Sequence, residues 1–409
     1  MIDKESSKHI LILTPLFDPE INRINDMVQY FLEKKYSITV MCPIPNYPQG
    51  KYYKNYGIFK KRYEKFGNLN IVRVIVWPRG NGSKVNIFLN YLSFIFFSII
   101  PAIRLSFKKI DIIFVNQLSP ITIAIPGIII KKIKKIPLVM WVTDLWPESV
   151  KEGGNLKSNF LPNLILPVVR SIYNNCDQIL TSSRGFINSI KEKTINHNLL
   201  YLPQWGEELF TKKSNEIYTN HDMEKIKDCK IVFAGNIGIA QDFECIVYAM
   251  NEIRNHNIHL VVLGDGRERK NVEKMVHDMN LSHKISFLGA FPLNKMPYFF
   301  NKADALLISL KKSDIFSITI PAKTQAYLAF GKPILTNSEG EVSNIINESK
   351  SGLTSDSGNY MLLAKNMLKL SLLSDNEKKV MSDNAKKYYR ENFQRENILK
   401  KLEDILLSH

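Results

Sequence analysis

The stretch IVFAGNIGIAQDFE, residues 231–244, constrains the fold of this chain more than any other: an apolar run, a turn with two glycines, then the start of a helix. Apolar residues recur at Phe243, Ile246, Val247, Met250 and Ile253, the spacing of a helix with one buried face. The glycines therefore lie between a buried strand and a helix N-terminus. Backbone N–H groups and the positive end of the helix dipole converge at such a turn, and glycine lets an anion come close. The competing reading is a bend that uses glycine only to turn the chain. Asp242 and Glu244 already answer the dipole and count against an anion held directly there.

The same alternation runs through the rest of the chain. A strand over residues 9–13, a helix over 26–34 and a strand over 37–42 form a βαβ opening, which requires a parallel sheet with helices on its faces. Further strands are expected at 71–77, 110–116, 137–142 and 178–182, with helices at 160–173 and 186–192. The polar run 206–228 reads as an inter-domain link, after which strands recur at 231–234, 259–263, 285–288 and 305–309. A helix is expected over 270–279, another between Pro321 and Gly331 by the proline-first, glycine-last asymmetry, and a charged helical segment over 376–408. A length of 409 residues suits two α/β domains, each with its own core. The expectation is two facing Rossmann-like domains, 1–205 and 206–385, separated by a cleft, with a C-terminal helix over 386–409 packing back toward the first.

Ligands of such sheets sit at the carboxyl ends of the strands, which selects the candidate loops. The first strand-to-helix loop carries Glu20, Asn22 and Arg23, and the loop PRGNGS after the strand at 71–77 carries Arg79. NYPQGKYY, residues 46–53, is a tyrosine-rich turn placed to serve as a substrate lip. VTDLWPESV, residues 142–150, delivers Asp144 and Glu148 at a strand end, to orient an acceptor hydroxyl or serve as a base; a loop brace and a helix cap are the alternatives. The strand at 259–263 ends in a second glycine turn, Gly264 and Asp265. Lys323 falls in the first turn of the helix after Pro321, where a cation opposes the dipole. A bound diphosphate reverses the sign of that cost; an exposed lysine in water is the alternative reading.

The formal charge of +16 calls for an acidic partner. Residues 85–103 carry no charge and are flanked by Lys84 and Arg104; residues 121–130 are apolar and run into Lys131, Lys132, Lys134 and Lys135. Two oily segments with basic collars fit a protein resting on an anionic membrane surface, or else two buried helices. No basic and aromatic residues alternate on one strand face, so a nucleic-acid partner is not expected. Four widely separated cysteines and eight scattered histidines indicate neither a disulfide framework nor a metal site. The first residues lack the signal-peptide pattern, so a cytoplasmic location at the inner face of the membrane is the expectation.

The ordered set LWPES, LPQW, FAGNIG, VVLGDG, FLGAF and PAKTQAYLAFGKPI, together with PLFDPEI and NYPQGKYY, resembles the retaining glycosyltransferases of family four, over nearly the whole chain. Within them it is most similar to the amino-sugar transferases of bacterial O-antigen and capsule assembly. The resemblance implies an α/β GT-B fold and metal-independent, cofactor-free transfer of a sugar from a UDP-sugar donor to a lipid-linked saccharide acceptor, with retention. It places the donor on Gly235, Asn236, Gly238, Gln241, Gly264, Asp265, Ser317, Thr319, Lys323 and Tyr327, with Asp144, Glu148 and Lys323 as the catalytic candidates and Glu20, Asn22, Arg23 and Arg79 on the acceptor side. The sequence departs from the family at Asn236 and Gln241, where members carry an arginine and a lysine, and at Ile318 and Ala326, where they carry glutamates. The family's histidine near the transferred sugar falls on Thr143. A UDP-sugar epimerase and a catalytically silent scaffold of a polysaccharide assembly complex are the competing readings.

Overall fold

The computed structural model describes residues 8–153, 160–212 and 218–409. The chain divides into two units, Met1–Leu202 with Leu399–His409, and Pro203–Ile398. In the first unit the elements run β1 (His9–Leu13), α1 (Arg23–Glu33), β2 (Ser37–Pro43), β3 (Tyr63–Phe66), β4 (Leu69–Val74), α2 (Lys84–Ser106), β5 (Ile112–Gln117), α3 (Ile125–Lys134), β6 (Leu138–Val142), α4 (Glu148–Gly153), α5 (Phe160–Asn174), β7 (Gln178–Thr181), α6 (Gly185–Lys191) and β8 (Leu199–Tyr201). They build one sheet in the order β3-β4-β2-β1-β5-β6-β7-β8, parallel except for the β3–β4 edge pair. Every residue of β5 and β6 is buried, as a sheet covered on both faces requires. The β1-to-β2 and β4-to-β5 crossovers run in opposite directions along the sheet, so right-handed connection puts α1 on one face and α2, α3 and α5 on the other.

The second unit runs α7 (His221–Lys225), β9 (Cys229–Ala234), α8 (Phe243–Glu252), β10 (Ile258–Leu263), α9 (Arg269–Asp278), β11 (Ile285–Gly289), α10 (Met296–Lys302), β12 (Ala305–Ser309), α11 (Asp314–Ser317), α12 (Ala322–Phe330), β13 (Ile334–Asn337), α13 (Glu341–Ser349), β14 (Gly352–Ser355), α14 (Tyr360–Ser371) and α15 (Asp375–Asn392), followed by α16 (Arg395–Leu407). Its parallel sheet has the order β11-β10-β9-β12-β13-β14, so β9 is central and the strand order reverses beside it. Its carboxyl end is thus the topological switch point, where ligands of such sheets bind. Residues 206–228, expected as a link, belong to this unit, and 213–217 of them lie outside the described residues. Residues 386–398, expected to leave this domain, remain in it, and only Leu399–His409 return to the first unit.

One buried carboxylate anchors the return. Glu403 is 5% exposed and accepts from the Tyr30 hydroxyl at 3.0 Å, the Tyr36 hydroxyl at 3.0 Å and the Lys34 ammonium at 2.9 Å. Burial pushes its pKa up, but these three donors outweigh it and hold the group below the usual carboxylate range. Its stabilising effect is therefore present above the ordinary glutamate range and is lost as pH falls through the lowered folded value. Glu403→Ala strips two tyrosine hydroxyls of their acceptor. Because Lys34 is largely solvated, the expected loss is about 2 kcal/mol, read as a lower urea midpoint; an unchanged midpoint refutes the role.

Helix α2 is the one helix among the described residues long and apolar enough to cross a membrane, with a mean hydropathy of 1.8. It packs on the first unit through Asn90, Phe94, Ser98, Pro101, Ala102 and Ser106, and the Asn90 amide donates to the Trp77 carbonyl at 2.5 Å. Its outer side exposes Phe88 (62%), Phe96 (63%) and Ile100 (62%), continued by Phe107 (80%). The second oily segment is different. Ile121, Ile123, Ala124 and Ile130 are fully buried, so the apolar part of the segment expected to face a membrane, residues 121–130, is largely interior and covers the sheet beside α2, while Ile133 in its basic end stays exposed. Positive flanks made the two segments look alike; α2 keeps a continuous apolar side in solvent, the second segment a single isoleucine.

Candidate donor site of the second unit

The turn after β9 is built by close approach of two backbones. Gly235 (φ +144°) and Gly264 (φ +140°) both occupy conformations that side chains rarely adopt. A Cβ on Gly264 would lie 1.9 Å from the Gly235 carbonyl oxygen. The Gly235 N–H donates to Leu263 O at 2.8 Å, and the Ile237 N–H to Asp265 O at 2.9 Å. The Gly238 N–H donates to Gln241 Oε1 at 3.1 Å, an oxygen that also accepts from Asn236 Nδ2 at 3.3 Å. Three N–H groups of this loop are therefore already engaged, those of Gly235 and Ile237 by the neighbouring loop and that of Gly238 by Gln241. Asn236 and Gln241 knit the turn together, and Asp265 closes its own turn by accepting from the Gly266 N–H at 2.8 Å.

What the loop leaves open is the space beside Gly235, and Lys323 fills its edge. Pro321 (φ −64°, ψ 146°) starts α12 and Gly331 (φ +77°) ends it, as the sequence predicts. Lys323, in the first turn, projects its amine toward β9: Nζ lies 3.9 Å from the Phe233 ring centroid and 3.1 Å from where a Cβ on Gly235 would be. The amine is sealed from solvent and has no hydrogen-bond partner. Burial alone pulls its pKa down from 10.5 to about 7. An unpartnered buried ammonium costs free energy that an arriving anion recovers.

Lys323 lines a cavity of about 280 Å³ together with Gly235, Gly264, Ala326, Phe291 and Phe300. Tyr327, in the same wall, is buried, and its hydroxyl accepts from the Ala234 N–H at 3.1 Å, so it ties α12 to the end of β9. Ser317 and Thr319 close the turn of α11, donating to Asp314 O at 2.7 Å and Ile315 O at 2.6 Å. Neither lines the cavity. Sequence reasoning missed Glu207, Phe291, Leu293 and Met296, which do line it. The only signal for Glu207 was its place after LPQWG; the apolar three follow FLGA at the end of β11. A larger hollow, about 830 Å³, is lined by Lys332, Lys386, Tyr389 and Arg395 and shares no residue with the glycine loops.

In the first unit the candidates are mostly engaged with their own loops. Glu20 is buried and accepts from the N–H groups of Asn46 and Tyr47 at 2.8 and 2.7 Å, bracing the tyrosine-rich turn; burial raises its pKa. Asn22 caps α1, accepting from the Ile24 N–H at 3.1 Å, and Arg23 is the first residue of that helix. The Arg79 guanidinium lies between the rings of Tyr47 and Tyr91, 5.2 and 5.8 Å from their centroids. Asp144 accepts from Trp146 Nε1 at 3.1 Å, and burial raises its pKa. Glu148 is paired with Lys193 and accepts from Ser189 Oγ at 3.0 Å, a structural engagement. Thr143 donates to Gln117 O at 2.8 Å. Among the described residues no group of three His, Cys, Asp or Glu is placed to hold a metal ion.

Comparison with known proteins bears on both units. Residues 219–388 match the family profile "Glycosyl transferases group 1". WbjE of Pseudomonas aeruginosa, named as a glycosyltransferase, is 26% identical over 262 residues, a match that covers 61% of this chain and 65% of WbjE. WcaI of Escherichia coli strain K12, a glycosyl transferase named for colanic acid biosynthesis, is 23% identical over 336 residues, covering 79% of this chain and 81% of WcaI. The solved structure of HepE from Anabaena, in complex with UDP and glucose, superposes with a TM-score of 0.68 at 13% identity, covering 98% of this chain and 99% of that one. The fold is thus α/β of the GT-B class, two Rossmann-like units each with a parallel sheet.

Proposed function

We propose, taking as premise that a chain with a group 1 glycosyl transferase domain over residues 219–388 is a glycosyltransferase, that it moves a sugar from a UDP-sugar to a lipid-linked saccharide in bacterial surface polysaccharide assembly. The observation that carries the donor half is Lys323: a buried amine without an acceptor, at the rim of a cavity at the sheet's switch point. A diphosphate is the group that satisfies it. UDP in the related fold of HepE and the colanic acid role in WcaI's name support the nucleotide and the pathway class. The match to transferases favours transfer over epimerisation or a silent scaffold.

Transfer with retention needs no protein nucleophile. The bond from the anomeric carbon to the diphosphate breaks, the acceptor oxygen bonds to the same face of that carbon, and the acceptor's proton passes to the departing diphosphate. Positive charge develops on the sugar and negative charge on the leaving group, so catalysis rests on fixed electrostatic stabilisation, which Lys323 supplies. Neither a metal nor a cofactor is required by this scheme. On the acceptor side, Arg79 and Asp144 stand at strand ends of the first unit, where a saccharide is to be met; Glu20 and Glu148 hold the loops that carry them. The exposed side of α2, with Lys84, Arg104, Lys108 and Lys109 at its ends, holds the enzyme at the inner face of the membrane, where lipid-linked acceptors reside.

Purified enzyme given a UDP-sugar and a polyprenyl diphosphate-linked saccharide is expected to release UDP in an acceptor-dependent manner, undiminished by EDTA. Loss of activity in EDTA, or interconversion of the free nucleotide sugar without acceptor, refutes the scheme.

A further inference from the structure

The cavity beside Gly235 is lined by one ammonium, that of Lys323, and one carboxylate, that of Glu207; its remaining lining is largely apolar. Glu207 reaches it from a segment far from α12 in sequence. Gly206 makes this possible, because its backbone lies directly on α12: a Cβ there would stand 3.0 Å from Gln325 O and 3.1 Å from the Ala329 Cβ. These two residues bracket Ala326, which presents only a methyl group to the cavity. The half-buried Glu207 therefore enters the wall next to a position where the helix itself offers no polar group.

The three kinds of lining match the three parts of a nucleoside diphosphate. The diphosphate goes to Lys323, and Glu207 repels it. The flat base suits the apolar patch of Phe291, Leu293 and Met296. Between base and diphosphate a ribonucleotide carries two adjacent hydroxyl groups, and a carboxylate, with two acceptor oxygens, takes two such donors at once. We infer that Glu207 binds the ribose diol of the donor nucleotide and so makes the site selective for ribonucleotides over 2′-deoxyribonucleotides. This rests on the cavity being the donor site.

Calorimetric titration with UDP and 2′-deoxyuridine diphosphate tests it. The unaltered enzyme is expected to bind UDP at least tenfold more tightly than the deoxy analogue, about 1.4 kcal/mol. In Glu207→Ala the two affinities become equal, with the whole loss on the UDP side, and Glu207→Gln, which keeps one acceptor oxygen, retains part of the preference. Lys323→Ala weakens both ligands by the same factor and leaves the ratio intact, which separates the carboxylate's role from the cation's. An undiminished preference for UDP in Glu207→Ala overturns the inference while the donor site stands. Failure of the unaltered enzyme to bind UDP at all overturns the donor site itself, and the inference with it.

Discussion

Lys323→Ala is expected to lower turnover by about 100- to 1000-fold, the range for removing one group that stabilises developing negative charge, without lowering the stability of the ligand-free protein. The two halves of this result belong together. The amine has no hydrogen-bond partner and its charge is held out of water beside Phe233, so the free enzyme loses no bond when it is removed. A lysine kept for folding would behave oppositely. The pH dependence follows from a folded pKa of about 7, lowered by burial from 10.5. Between these values the unfolded chain binds more protons than the folded one, so the lysine makes stability rise with pH across that window, and its cost is complete below about 7. Diphosphate binding requires the charged amine. Above about 7 the enzyme therefore takes up a proton as it binds UDP, and affinity falls as pH rises. Titration in buffers of different ionisation enthalpy measures the proton; Lys323→Arg, always charged, abolishes the uptake. Full turnover in Lys323→Ala removes this residue from the mechanism.

The second large effect concerns the membrane. Replacing Phe88, Phe96 and Ile100 together by glutamate is expected to reduce partitioning onto vesicles of mixed zwitterionic and anionic lipid by about 100-fold or more. Each side chain contributes on the order of 1.5 kcal/mol when buried, and the new charges are repelled by the same surface. All three lie on the solvent side of α2, away from the sheet, so folding and turnover of a water-soluble acceptor analogue remain as before. Vesicle flotation distinguishes this from a general loss of structure. Binding that survives the triple change, or that is equal on purely zwitterionic vesicles, refutes the in-plane membrane role of α2.

Much of the fold was legible because alternation of apolar runs with glycine turns and amphipathic helices leaves few topologies. The bounds of α12 could be read from Pro321 and Gly331, since each restricts the backbone by itself. Short or polar elements were not legible: β3, at the sheet edge, and β14, Gly352–Ser355, carry too little apolar pattern to stand out. In the site, Lys323 was visible as a violation of a local rule, a cation at a helix start. The fate of the loop N–H groups was not, because Leu263 O and Asp265 O reach them from another strand end. Glu207 was hidden for the same reason: its role depends on Gly206 lying against α12, a contact with no local trace in sequence. The two oily segments differ only in what packs over them, which hydropathy does not record.

The seating of α16 by Glu403 also alters how the polypeptide is wired. Because Leu399–His409 rejoin the unit in which the chain begins, and Lys8 Nζ donates to Leu407 O at 2.9 Å, the second unit is an insertion within the first rather than a successor to it. Two covalent strands join the units, one at each end of Pro203–Ile398. Cleaving either leaves the other as a tether, so a single nick does not separate the two units. A carrier fused after His409 is likewise attached to the first unit, next to β1.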